Sequence, residues 1–444
     1  MDLLFPKGFV FGISESDLQT VGSLLPQQKE NTFKTSWDIF AKKQKIDEPL
    51  NGSFKYLNYK QDAKLLTELG IKAYRTSISM SRTIDKNGHV NKKAIQWYRN
   101  YLQLLKNKGI QIHLCLYHWE APEQFSKNGI LDKNFADYFL KHVKIVLENL
   151  SDLVDYFIPF NESWCICYLS YFVGIHAPGY KNINKFFKAY FSLLDLQTKT
   201  IHLIKTKNKK VGLVNIHFPT YIQKQSGHQQ SFINAREIAD NLTNYIYSDP
   251  WFFGNINKSI ISKFKKYFPK NFLEIIKNCQ LGQSIDYYGI NYYNSQFIKP
   301  AKNLLGYEQE ILKGALTNSL GWPIAIPPHY PNGLTDILVN FTNRYSPAGL
   351  KKIMITENGV PGQDDNFRIF FIKKHLKQIQ LAISKGALIK GYFHWTLLDN
   401  YEWQEGYKPE SAFGLVAVDS KTSQRLPKKS FFWYKNLIKC HLNK

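Results

Sequence analysis

Several large protein classes are excluded by what this sequence has little of. There are only five cysteines, Cys115, Cys165, Cys167, Cys279 and Cys440. The number is odd and no pair of CxxC motifs occurs. That argues against a disulfide-stapled scaffold and against a paired-CxxC zinc site. Cys115, Cys165 and Cys167 stand in apolar contexts and read as small buried hydrophobes. A reducing compartment, the cytoplasm, is the expectation. The stretch from Met1 to Val10 carries Asp2, Pro6 and Lys7 and has no apolar signal-peptide core. No run of about 18 apolar residues suggests a membrane span. Walker A, HExxH and GxSxG are all missing, which removes P-loop enzymes, zincins and GxSxG hydrolases from consideration.

Acidic residues are also scarce, with 35 Asp and Glu against 58 Lys and Arg, a formal net charge of +23. Such a balance invites an anionic partner. The lysines are scattered, however, and fit solvated helix faces. The densest basic-aromatic cluster runs from Ser262 to Phe268, and an amphipathic surface helix explains it more simply than a nucleic-acid site. No specific nucleic-acid partner is expected.

What the chain does have is apolar material and regular alternation. Hydrophobic residues make up 44% and aromatics 15%, enough for a large core and too much for disorder. Short apolar runs alternate with helix-period segments from end to end. The strand candidates are Phe9–Gly12, Lys72–Ser79, Ile110–Tyr117, Val154–Phe160, Lys210–Asn215, Ile285–Asn291, Ile353–Thr356 and Ile389–Trp395. Helices are expected over Gln61–Leu69, Lys92–Lys108, Asn134–Leu150, Phe186–Lys207 and Phe371–Lys385. About eight β-then-α units predict an α/β fold, a (β/α)8 TIM barrel. With no linker or low-complexity stretch, residues 1–444 read as a single domain. The longest irregular segment, Lys299 to Leu334, is expected to shape the pocket.

In such a barrel the chemistry belongs at the C-terminal rim. There the strands end in Gln19, Arg75, His118-Trp119, Asn161-Glu162, Asn291-Tyr292-Tyr293, Glu357-Asn358 and Trp395, with Glu402 and Trp403 just beyond. Singly, each has an ordinary explanation: a satisfied core histidine, a structural ion pair, a core tryptophan. Together, amides, carboxylates and indoles on one rim suit a sugar, whose hydroxyls need polar partners and whose apolar face needs an aromatic platform. Glu357 closes the apolar run Ile353-Met-Ile-Thr356 just before Asn358-Gly359, a place where a carboxylate is either paired or used. Glu162 is its counterpart across the mouth. Two carboxylates flanking one bond are what glycoside hydrolysis requires.

The sequence resembles glycoside hydrolase family 1 nearly end to end. The resemblance rests on Leu116-Tyr-His-Trp119, Asn161-Glu162, Gly289-Ile-Asn-Tyr-Tyr293, Thr356-Glu-Asn-Gly359 and Leu398-Asp-Asn-Tyr-Glu-Trp403. It implies a retaining β-glycosidase, a β-glucosidase first of all, with Glu357 as nucleophile and Glu162 as acid/base. It implies that Arg75, Asn291 and Tyr293 surround the nucleophile. It further implies that Gln19, His118, Trp119, Asn161, Trp395, Glu402 and Trp403 hold the sugar, and that Trp322 lies on the aglycone side. No metal or organic cofactor is implied, and the partner is a small β-glucoside or oligosaccharide. The family pattern is broken at four places: Ser163 replaces a proline, Val21 a glutamate, Met80 a tryptophan and Ala412 a basic residue. Members acting on phosphorylated sugars lose the Glu-Trp pair that this chain keeps as Glu402-Trp403. A 6-phospho-β-glycosidase is therefore the second reading, and a catalytically poor sugar-binding protein on the same barrel the third.

Overall fold

The computed structural model describes residues 3–24, 33–85, 88–222, 229–311, 316–317, 323–325 and 331–442. Trp322 lies outside the described residues. Eight parallel strands close into a barrel. They are β1 (Val10–Ser14), β2 (Ala73–Ser77), β3 (Gln111–Cys115), β4 (Tyr156–Ile158), β5 (Lys210–Ile216), β6 (Tyr287–Asn291), β7 (Ile353–Asn358) and β8 (Ile389–Trp395). Each pairs with its neighbours in chain order. β1 closes the ring by pairing both β2, at Gly12↔Ala73, and β8, at Val10↔Gly391. The (β/α)8 expectation holds, and this order is what right-handed βα crossovers produce.

The period of two sorts the strand side chains. Ala73, Cys115, Ile158, Val214, Met354 and Phe393 pack together in one buried cluster inside the barrel. Tyr287 crosses this interior above Gly212, where any Cβ would collide with its ring. Outward residues of the same strands, such as Tyr74, Ile112, Phe157, Leu213 and Ile355, join the larger core beneath the helices. One such helix, Lys92–Lys106, buries Ala94, Ile95, Trp97, Tyr98, Tyr101, Leu102 and Leu105, the spacing of one helical face.

Some boundaries differ from the sequence reading. β4 is shorter than Val154–Phe160, because Pro159 has no N–H to give to a ladder. The helix expected over Gln61–Leu69 begins at Lys55. Its first turn hides from periodicity because Lys55 is itself buried, paired with Glu15 and bonded to the Tyr74 hydroxyl. The Ser262–Phe268 cluster forms the end of a short surface helix, Lys258–Phe264, and a following 3-10 turn. Phe264 points inward while Lys263, Lys265 and Lys266 are exposed. Cys115, Cys165, Cys167 and Cys279 are buried and free, and Cys440 is exposed.

Candidate active site

At the barrel's C-terminal rim the inward positions change from apolar to polar. By alternation Ser14, Arg75, Asn291, Thr356 and Trp395 stand one layer above the apolar plug. Arg75 is fully buried. It donates to Ser14 Oγ at 2.7 Å, to Asn161 Oδ1 at 2.5 Å and to the Glu357 carboxylate. Alternation alone would turn Glu357 outward, since Thr356 already faces in and donates to Asn291 Oδ1 at 2.6 Å. A register shift between Ile355 and Glu357 breaks the ladder with β6. Such a bulge re-aims one side chain, and here it brings Glu357 into the barrel.

The end of β4 achieves the same result differently. Asn161 and Glu162 are consecutive, yet both face the site. Glu162 sits in the left-handed region at φ +53°, unusual for a side chain of its size. Its N–H donates to Val214 O at 3.1 Å. One carboxylate oxygen accepts from Asn291 Nδ2 at 2.7 Å, and the other from Cys165 Sγ at 3.0 Å. Cys165 is a member of the site that the sequence reading took only as a small hydrophobe. Its position three residues past Glu162, one helical turn, was the available signal.

The two carboxyl groups differ in electrostatics. Burial raises the proton affinity of both. For Glu357 this is opposed by the Arg75 guanidinium and by the Tyr293 hydroxyl, which donates at 2.7 Å. Burial also pushes the Tyr293 phenol far above its ordinary range, so it remains a donor. Among the described residues no cation is paired with Glu162, and the Arg75 charge lowers its proton affinity only as the least of its influences. Burial and the negative charge of Glu357 raise it, and the amide and thiol only partly offset them. The pair thus carries one proton most readily on Glu162.

A second cluster forms where the chain leaves the adjacent strands β1 and β8. Gln19 Nε2 donates to Tyr401 O at 2.8 Å and reaches Asn400 Oδ1 and Glu402 Oε1 at 3.3 Å each. Ser16 Oγ fixes the amide's other end at 2.6 Å. Trp395 Nε1 points at Glu402 Oε1, 3.4 Å away. His118 joins the clusters. Its ring is stacked near Trp403 and Trp395, centroids 6.0 and 5.9 Å apart. Burial holds it neutral. Its Nε2 meets Asn161 Nδ2 at 3.0 Å and so accepts. The proton is then on Nδ1, which is buried and has no partner among the described residues. Trp119 stands behind this wall. Its indole N–H is used by Asn161 O at 3.0 Å and its ring packs on Trp403 at 4.6 Å. The expected site residues that lie among the described residues converge here, while Tyr292 and Asn358 turn away, Asn358 Nδ2 donating to Tyr292 O at 2.7 Å.

A family model described as Glycosyl hydrolase family 1 matches residues 1–443. The chain belongs to glycosyl hydrolase family 1. Beta-glucosidase A of Thermotoga maritima is 31% identical over 98% of each chain. A 6-phospho-beta-galactosidase of Clostridium acetobutylicum is 29% identical over 98% of this chain and 96% of its own. A solved beta-glucosidase from Thermotoga maritima in complex with azafagomine superposes with a TM-score of 0.87 at 28% identity, covering 99% of both chains. The protein is a glycoside hydrolase of this family.

Three of its departures from the family pattern have visible accommodations. Val21 is buried among apolar neighbours, and the buried Arg82 finds its carboxylate on Asp17 at 2.5 Å, with Tyr98 Oη bonded to both. Met80 is fully buried in the main core, its N–H held by Glu120 at 2.9 Å. Ala412 bonds through its backbone: its N–H donates to Pro409 O at 3.2 Å, and its carbonyl accepts from Gly362 N at 3.0 Å and Arg368 Nη2 at 2.7 Å.

Proposed function

We propose that this family 1 enzyme hydrolyses β-glucosides with retention, with Glu357 as the nucleophile and Glu162 as the acid/base. The observation that carries the reading is the unequal setting of the two carboxyl groups: a cation and a phenol on Glu357, an amide and a thiol on Glu162. Ionised Glu357 attacks the anomeric carbon as Glu162 gives its proton to the departing oxygen. A covalent glycosyl-enzyme results. Glu162, now a carboxylate, takes a proton from water, which attacks the same carbon from the leaving-group side and frees Glu357. Two inversions give net retention. Gln19, Glu402, Trp403 and the His118 Nδ1–H would hold the hydroxyls, with Trp395 against the apolar sugar face.

The choice of an unphosphorylated glycone is supported by Glu402. A phosphate at C6 would meet this carboxylate in a poorly solvated pocket, and like charges there repel. The relative named as a 6-phospho-beta-galactosidase makes the comparison worth measuring. Nitrophenyl β-glucoside should show a higher kcat/KM than its 6-phosphate, and the reverse order would overturn this part of the proposal. NMR of the first-formed sugar should show the β-anomer. Among the described residues no helix is long and apolar enough to cross a membrane. The five free cysteines support a cytoplasmic setting.

A further inference from the structure

Ser163 stands where the family pattern has proline, directly after the residue read as acid/base. A helical segment opens at Ser163. At the first position of a helix the N–H has no intrahelical partner, and proline is favoured there because it has none to satisfy. In this chain the N–H is present and buried, and it is satisfied. Ser163 N donates to Asn215 Oδ1 at 2.9 Å. Its hydroxyl accepts from Gln197 Nε2 at 2.8 Å. Asn215 lies on β5 and is itself held, its Nδ2 donating to Tyr288 Oη at 3.1 Å. Gln197 belongs to the long helix Ile183–Thr206.

Immediately before this anchor, Glu162 occupies a left-handed conformation, which persists only where its surroundings enforce it. A proline at this position would restrict the residue before it through the bulk of its ring. Serine has no such constraint, and the two hydrogen bonds occupy the places where a proline ring would have made both impossible. We propose that Asn215, with Gln197 behind it, is a positioning residue for the acid/base, acting through the Ser163 backbone rather than on substrate. The proposal rests on the reading of Glu162 as acid/base.

The experiment compares kcat/KM on 2,4-dinitrophenyl β-glucoside, whose leaving group needs no proton, with that on an alkyl β-glucoside, whose leaving group does. Loss of about 1 Å in placement is worth up to about 10²-fold. Asn215→Ala should therefore raise the dinitrophenyl-to-alkyl ratio by about tenfold or more. Asn215→Asp keeps an acceptor for the Ser163 N–H and should return the ratio most of the way. In a Ser163→Pro background, where no N–H is left to satisfy, Asn215→Ala should barely change it. Gln197→Ala breaks only the second bond and should move the ratio the same way by less, which keeps the test open if Asn215→Ala does not fold.

An equal loss on both substrates, or the same change in the proline background, would show a merely structural role and overturn the proposal. Glu162→Ala is the control. If it is not selective for the alkyl glucoside, the acid/base reading itself has failed. If it is selective while the Asn215 and Gln197 variants are not, only the positioning role falls.

Discussion

The ends of β4 and β7 solve one problem with opposite materials. Each must turn a glutamate into the barrel mouth beside an inward neighbour, Asn161 in one case and Thr356 in the other. β7 does so with a bulge inside the ladder, where the flanking strands hold the chain. β4 ends at Ile158 and does so with a left-handed residue outside the ladder. Glu357 then meets a buried guanidinium and a phenol, and Glu162 an amide and a thiol. The difference teaches how one fold separates two chemically identical groups. The carboxylate proposed to attack is surrounded by groups that favour its charge, and the one proposed to give a proton is paired with no cation among the described residues.

The comparison can be broken most severely at Glu357. Glu357→Gln removes the proposed nucleophile, so turnover of every glycoside should fall together by at least about 10⁴-fold. Retention of activity on any one of them would break the assignment. Next in size is Glu162→Ala. General acid help is worth about 10²–10⁴-fold, and that loss should appear on alkyl glucosides. Dinitrophenyl glucoside should still glycosylate the enzyme, the intermediate should accumulate on the peptide carrying Glu357, and azide should restore turnover as a β-glycosyl azide.

A smaller effect is expected from Tyr293→Phe. A hydrogen bond to a charged group is worth about 1.5–3 kcal/mol, or roughly 10–10²-fold. The bond favours ionised Glu357, so its loss raises that pKa. The acid limb of the bell-shaped pH–rate profile should move to higher pH while the alkaline limb, set by Glu162, stays. An unmoved acid limb would mean that Tyr293 does not tune Glu357. The smallest effect is on stability. Folding raises the proton affinity of Glu162, so above the ordinary carboxylate range the folded state binds more protons than the unfolded one. Stability then falls as pH rises through that window, until the folded group has also ionised. Glu162→Gln removes this drop. It should raise Tm by on the order of one or two degrees, more at alkaline than at acidic pH.

Much of this was legible in the chain. Ile389–Trp395 is the strand that was expected, and the two glutamates follow from polar residues standing where apolar runs end. What was not legible depends on geometry that periodicity cannot carry. Glu357 lies within β7 rather than after it, because a bulge leaves no compositional mark. Lys55 opens a helix from a buried position that only its pairing with Glu15 makes tolerable. Cys165 looked like any small apolar residue, and its contact with Glu162 became visible only through the turn that joins them. Asn215, the polar residue closing the fifth apolar run, carries no mark in the sequence that ties it to Ser163, which it meets only through the pairing of β4 with β5.

The Gln19 contacts carry a consequence for synthesis. They join residues 381 to 383 positions apart in sequence. A chain emerging from the ribosome carries both glutamates once β7 is out, yet Gln19 must wait for its partners Asn400, Tyr401 and Glu402. The Gln19 cluster is therefore among the last features to assemble, and loop closure over so long a span is slow. A polypeptide released after β8 but before residue 400 would carry Glu162, Glu357, His118 and Trp395 but lack the Asn400, Tyr401 and Glu402 partners of Gln19.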